Sequence, residues 1–260
     1  MTTMTDGGPS NQPTNFLSPG LAERACGEAF ELKFQLSSPE ADFIEAWARR
    51  RLEPDLHGVE GVYRVSSIYF DTPRLDVFHR VAGFKKRKFR ARRYGDAEHI
   101  FLESKTKRGD RVRKKRVQIA PDELHRLLDL ETDPAWAAAW FHRRIVAKNL
   151  RPIANVSYER TAFFGQFGAQ PIRLTLDRHL IGAPTNDWRF AAITQGEPLL
   201  GGGGAVLLEM KYHLALPEAL RDLMPHLPAQ PARISKYRQC IELCGLAGRS
   251  DSTSSVCAVP

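Results

Sequence analysis

The sequence has no long apolar run. No stretch approaches the length of a bilayer span, and the polar N-terminus lacks the apolar core of a secretory signal, so a soluble, cytoplasmic protein with no membrane segment of its own is expected. Cysteine is scarce. Cys26, Cys240, Cys244 and Cys257 form no second pair and have no histidine partner that would complete a zinc pattern, so reduced, structural thiols are expected. The eight histidines fall into no ligand-spaced cluster, and no Ser-His-Asp or Cys-His arrangement has a recognisable context. Helix-turn-helix and zinc-finger signals are absent too, which counts against a nucleic-acid binder. Acid is also short in one place. Residues 85–116 hold fifteen Lys and Arg against Asp96, Glu98, Glu103 and Asp110, while the net charge of the whole chain is only +8. The excess positive charge is therefore local, which points to one anion site rather than a generally basic surface.

What is present suits a single globular unit, with 42% hydrophobic and 26% charged residues. The Gly-, Pro-, Ser- and Thr-rich residues 1–25 read as a disordered leader and residues 248–260 as a disordered tail, leaving one domain over 26–247. Within it a glycine run at 201–204 reads as a loop. Alternating apolar and polar positions predict strands at 29–36, 63–72, 88–94, 99–107, 112–119, 155–164, 172–180 and 205–214, with turns at Gly95 and Gly109. Helices are predicted at 38–52, behind a Ser-Pro start, in an insert over 121–150, and at 217–227 and 235–246. Many antiparallel strands with a few flanking helices indicate α+β. Closing about eight strands into a barrel would remove the sheet's edges.

The alternation also assigns faces. In 88–94, Phe89 and Ala91 point one way, and Lys88, Arg90, Arg92 and Tyr94 the other. Glu103, Lys105 and Lys107 share a face, as do Glu31 with Lys33 and Glu209 with Lys211. Several strands thus carry one apolar face and one that mixes bases with an occasional glutamate. Like charges two residues apart on a strand repel by about 2–3 kcal/mol at an effective dielectric near 20. On an open, wet sheet that repulsion is screened. Inside a barrel it is not, and an anion must compensate it.

The segments "SIYFDT", "RARRYG", "FLESKTK", "SYERTAF", "LTLDR", "LLEMKY" and "RISKY" occur in the order found in the VTC (vacuolar transporter chaperone) domain, a branch of the CYTH-like triphosphate tunnel metalloenzyme superfamily that the chain resembles from about residue 30 to 243. The resemblance implies a closed antiparallel β-barrel, a tunnel whose lumen binds triphosphate or polyphosphate beside Mn2+ or Mg2+. It implies a metal-dependent phosphotransferase of the polyphosphate polymerase type, moving the γ-phosphate of ATP onto inorganic polyphosphate. Carried over by motif, Arg90, Arg92, Lys105, Arg160 and Lys236 are the catalytic bases. Lys33, Lys114, Tyr158, Arg173, Arg233 and Ser235 are the phosphate contacts, with Lys115 as an alternative to Lys114. Glu209, then Glu103 and Glu31, are the metal candidates. These residue types suit the chemistry, because phosphoryl transfer needs charge neutralisation and alignment more than covalent help.

One departure weakens the hydrolase version. Related tunnel enzymes open with Glu-x-Glu-x-Lys, and Ala29 stands at the first position here, leaving Glu31 and Lys33. A tunnel triphosphatase and a non-catalytic polyphosphate-binding module are the rivals. Carboxylates interleaved among the bases, with no aromatic ladder, argue against nucleic acid. In the family the domain can belong to a membrane-bound assembly, so any export of product would need a membrane-protein partner. Lys85, Lys86, Arg87, Arg108 and Arg111 read as solvated, His213 as a surface residue, and Asp71 and Asp177 as structural.

Overall fold

A computed structural model describes residues 30–108, 111–167, 170–191, 193–202, 204–213 and 215–248. The expected leader, the expected tail apart from Gly248, Ala29 and the Gly109 turn lie outside the described residues. The first strand, β1 (Phe30–Leu36), runs into helix α1 (Ser38–Arg51). Ser37 caps that helix through a reciprocal box, its backbone N–H and hydroxyl both meeting the Glu40 carboxylate at 2.7 Å. After the short β2 (Glu53–Pro54) come β3 (Val62–Asp71), α2 (Asp76–His79), β4 (Arg87–Tyr94), β5 (Ile100–Arg108) and β6 (Arg111–Ile119). A helical insert leads to the two longest strands, β7 (Arg151–Phe167) and β8 (Gln170–Pro184). The chain finishes with β9 (Glu197–Pro198), β10 (Val206–Tyr212), α4 (Glu218–Arg221) and α5 (Lys236–Leu243).

All strands join one antiparallel sheet, with eight on its main path in the order β1-β10-β8-β7-β3-β4-β5-β6. The path's ends, β1 and β6, share no ladder among the described residues. The sheet nonetheless curls far enough for Lys105 of β5 to reach Glu31 of β1, Nζ to Oε2 at 3.5 Å. Two register shifts mark the bend, one between β3 and β7 at Tyr69/Phe70 and one between β7 and β8 around Tyr158. Opposite Tyr158, His179 takes a φ of 52°, a left-handed residue within a bulge that increases local twist. The convex side is covered twice. Ala41, Ile44 and Trp47 of α1 pack on Phe34, Leu174, Leu208 and Met210. On the other flank Leu124, Leu127, Phe141 and Ile145 of the insert pack on Phe89, Ala91, Ile100 and Leu102. The concave side is left to the polar residues.

The helices depart most from expectation. The insert is a 3-10 segment (Pro121–Leu128) followed by the α-helix α3 (Ala139–Ala147), not one continuous helical stretch. Residues 217–227 give only the four-residue α4 and a 3-10 turn at Met224–His226. Pro225, which has no N–H to donate, stops a longer helix there. The two long strands run two to four residues beyond their predicted bounds at each end. Ladder pairing, rather than side-chain pattern, sets their length.

Candidate phosphate-binding site

The concave face is built by strand parity. It takes Glu31 and Lys33 from β1, Lys88, Arg90, Arg92 and Tyr94 from β4, Glu103 and Lys105 from β5, and Lys114 from β6. Arg160 comes from β7, Arg173 and Asp177 from β8, and Glu209 and Lys211 from β10. The first turn of α5 adds Ser235, its N-cap, and Lys236.

One part of this face is a continuous chain of ion pairs. Arg160 grips Asp177 with both arms, Nε to Oδ1 at 2.6 Å and NH2 to Oδ2 at 2.8 Å. Lys236 Nζ sits 2.7 Å from the Asp177 Oδ2 and 3.0 Å from the Glu209 Oε1. Lys33 Nζ meets the same Oε1 at 2.9 Å and Glu31 Oε1 at 2.9 Å. Burial works against the charge on Lys236, yet Asp177 and then Glu209 outweigh it and hold the ammonium well above the ordinary lysine value. The Glu209 carboxyl is driven far below the usual range, chiefly by Lys236 and Lys33 against its burial. Glu31 is pulled to about 2 in spite of burial, by Lys211 and Lys33.

The second part has charge left over. Arg90 meets Glu103 through Nε at 2.6 Å, and Lys114 Nζ lies 3.2 Å from the other Glu103 oxygen. Arg92, however, is buried, and its one hydrogen-bond partner among the described residues is a hydroxyl, Nε to Ser67 Oγ at 3.0 Å. Lys88 Nζ likewise donates to Ser235 Oγ at 3.0 Å. Among the described residues no carboxylate pairs with Arg92, Lys88 or Lys211. Burial pushes Lys88 down to about 8, and Lys33 and Lys105 add to the depression. Lys211 also falls to about 8 through burial, against the pull of Glu31 and Glu209. Burial would raise the phenol of Tyr69, but Arg90, Arg92 and Lys88 overcome it and bring the group down to about 8. The field here is strongly positive. The buried Tyr158 hydroxyl has no hydrogen-bond partner among the described residues, and Lys236 Nζ lies 4.8 Å from that ring's centroid.

The sequence-predicted bases and carboxylates thus converge, with two exceptions. Arg173 sits at the edge, 3.1 Å from both Asp55 Oδ2 and the Tyr63 hydroxyl. Arg233 is exposed and makes no ion pair among the described residues. The register question on β6 is resolved. Lys114 meets Glu103, while Lys115 lies on the convex side with its Nζ 4.5 Å from the Trp140 ring centroid. Asp71 is structural as expected, accepting from the backbone N–H groups of Thr72, Val77 and Phe78 and from the Tyr237 hydroxyl. Asp177, expected to be structural only, stands inside the ionic chain. Lys88 and Lys211 were passed over as site residues, although they share strand parity with Arg90 and Glu209. A cleft of about 530 Å3 at the β1–α1 junction is lined by Gln35, Ser37, Ser38, Gly201 and Gly202, and no member of the ionic chain borders it.

A divalent ion held by protein alone does not fit, since the described residues contain no group of three carboxylate, histidine or cysteine ligands. An ion held mainly by phosphate oxygens does fit, because it needs only one or two carboxylates. Glu31 and Glu209 both lie 2.9 Å from the Lys33 ammonium, so they face one another across a single cation.

The sequence profile described as "VTC domain" matches residues 28–244. The chain belongs to the VTC domain family. No curated protein matches it. Among solved structures, this VTC domain is similar to the PH1819 protein of Pyrococcus horikoshii (15% identity, 82% of this chain and 99% of that one, TM-score 0.46). It is also similar to an adenylyl cyclase candidate from Hippeastrum described as having a dominant triphosphatase activity (13% identity, 82% and 94%, TM-score 0.49). A third is an adenylate cyclase candidate from Bacillus halodurans (10% identity, 79% and 92%, TM-score 0.47).

Proposed function

We propose that this VTC domain holds a phosphate chain on its concave face and moves the γ-phosphate of ATP onto inorganic polyphosphate. The observation that carries the reading is the pair of bases on β4, buried Arg92 and half-buried Lys88, that form no ion pair with a carboxylate among the described residues. Uncompensated charge in such a setting is costly, and a polyanion is the ligand that would relieve it. The contact from Lys105 to Glu31 supports a sheet whose two ends come together as a tunnel around that ligand.

In this reading Arg90, Arg92, Lys105, Arg160 and Lys236 surround the transferred phosphoryl group and neutralise its charge. Lys33, Lys114, Tyr158 and Ser235 hold neighbouring phosphates, with Lys88 and Lys211 beside them. A terminal oxygen of the acceptor chain forms the new bond to the γ-phosphorus, and the bond from that phosphorus to the β,γ-bridging oxygen breaks, releasing ADP. The attacking oxygen is already anionic, so the protein aligns and neutralises without removing a proton. Glu209 and Glu31 are the residues that would hold Mg2+ or Mn2+, whose contribution is to offset charge on the phosphate oxygens. No helix among the described residues is long and apolar enough to cross a membrane.

Purified protein incubated with ATP and Mn2+ or Mg2+ should yield ADP and acid-stable phosphate chains. Orthophosphate without chains would replace transfer by triphosphate hydrolysis, and retention of polyphosphate without turnover would reduce the domain to a binding module. Failure to bind either ATP or polyphosphate would overturn the assignment.

A further inference from the structure

The basic face of β4 ends on a group of aromatic rings to which phosphoryl transfer assigns no role. Tyr94 follows Arg90 and Arg92 on the same face, one two-residue repeat of about 6.7 Å beyond Arg92. Its ring is parallel to that of His57, with centroids 5.8 Å apart and planes within 5°. Tyr63 and Phe101 meet it edge-on, at 5.9 and 5.8 Å. The Arg92 guanidinium carbon lies 5.9 Å from the Tyr94 centroid, so a base with spare charge and an aromatic face are neighbours.

The rings are held from behind and open in front. Buried Asp55 accepts from the Tyr63 hydroxyl at 2.9 Å and from the His57 backbone N–H at 3.2 Å, which fixes the loop carrying His57. His57 itself is exposed and Tyr94 half-buried. Phe89 and Phe141, which pack on the convex side, are by contrast covered. A chain of inorganic phosphate has no planar group to set against them, whereas a nucleoside triphosphate carries one at the end of its phosphates.

We infer that His57 and Tyr94 form a stacking platform for the base of a nucleoside triphosphate whose phosphates lie on Arg92 and Arg90. The platform distinguishes the nucleotide from the polymer, and it rests on the phosphate-chain reading above. Stacking uses the π-face that every base has, so ATP and GTP are expected to bind similarly.

The test is a calorimetric titration of the full chain with ATP and, separately, with inorganic tripolyphosphate. In His57→Ala and in Tyr94→Leu, ATP affinity should fall about tenfold while that for tripolyphosphate moves less than about threefold. Tyr94→Phe should retain the ATP affinity. The fluorescence of 2-aminopurine riboside triphosphate should be quenched on the wild-type chain and recover with Tyr94→Leu. Parallel losses for both ligands, or an ATP affinity indifferent to both ring substitutions, would overturn the platform and leave the phosphate reading standing. A wild-type chain that binds neither ligand removes both. The exposed position of His57 keeps the result interpretable if Tyr94→Leu folds poorly.

Discussion

The two parts of the concave face differ in one respect, whether the buried charge is answered from within the protein. Beside β7, β8 and β10 the two most buried cations find carboxylates: Arg160 takes Asp177, and Lys236 of α5 lies between Asp177 and Glu209. Along β4, Arg92 and Lys88 find only hydroxyl groups. The first arrangement holds its shape with nothing bound. The second is stable only because the rest of the fold imposes it, and its spare charge is what a ligand can use. The same residue types are therefore paired with carboxylates on one wall and left with spare charge on the other.

The comparison can be broken most severely at β4. Replacing Arg90 and Arg92 together with Ala should lower tripolyphosphate affinity by more than about a hundredfold, since charge-assisted contacts are worth about 1.5–3 kcal/mol each. Turnover should fall below detection in the same assay. On the opposite wall, Asp177→Asn should cost about 3–5 kcal/mol of stability in urea unfolding, because Arg160 and Lys236 lose a buried partner. Arg92→Met should do the reverse, leaving ligand-free stability unchanged or higher while affinity falls. If both single variants destabilise alike, the two walls do not differ.

A pH titration sharpens the contrast. Burial pushes Lys88 and Lys211 down to about 8 in the ligand-free protein, and an anion favours the protonated forms. Affinity for tripolyphosphate should therefore decline as pH rises through about 8, and binding near that pH should take up protons from the buffer. Stability of the free protein should move the other way. Between about pH 8 and 10 the unfolded chain keeps protons on these lysines and on Tyr69 that the folded chain has released, so folding gains as pH rises. The smallest effect is expected at Lys115. Its change to Ala should remove one exposed cation–π contact worth about 0.5–1 kcal/mol and leave anion affinity intact, whereas Lys114→Ala should weaken it.

Much of the site was legible before the fold was known. Period-two alternation placed Arg90, Arg92, Lys105 and Glu209 on polar faces, and the ordered motifs identified Lys236 and Ser235. Lys88 was equally legible by parity but belonged to no motif, and so was overlooked. The His57–Tyr94 group had no local signal at all, since its rings come from a loop and three different strands. Helix lengths failed where proline and 3-10 geometry interrupted a helical composition.

By itself the sequence determined the strand faces, the order of the elements and the concentration of positive charge between residues 85 and 116, because these depend on near neighbours. Only the tertiary structure decided which charges are answered. Asp177 meets Lys236 across 59 positions of chain, and Glu31 meets Lys105 across the gap between the ends of a curled sheet. Those distances depend on ladder register, on the bulge beside Tyr158 and on the curl of the whole sheet. No local pattern of residues encodes them one at a time.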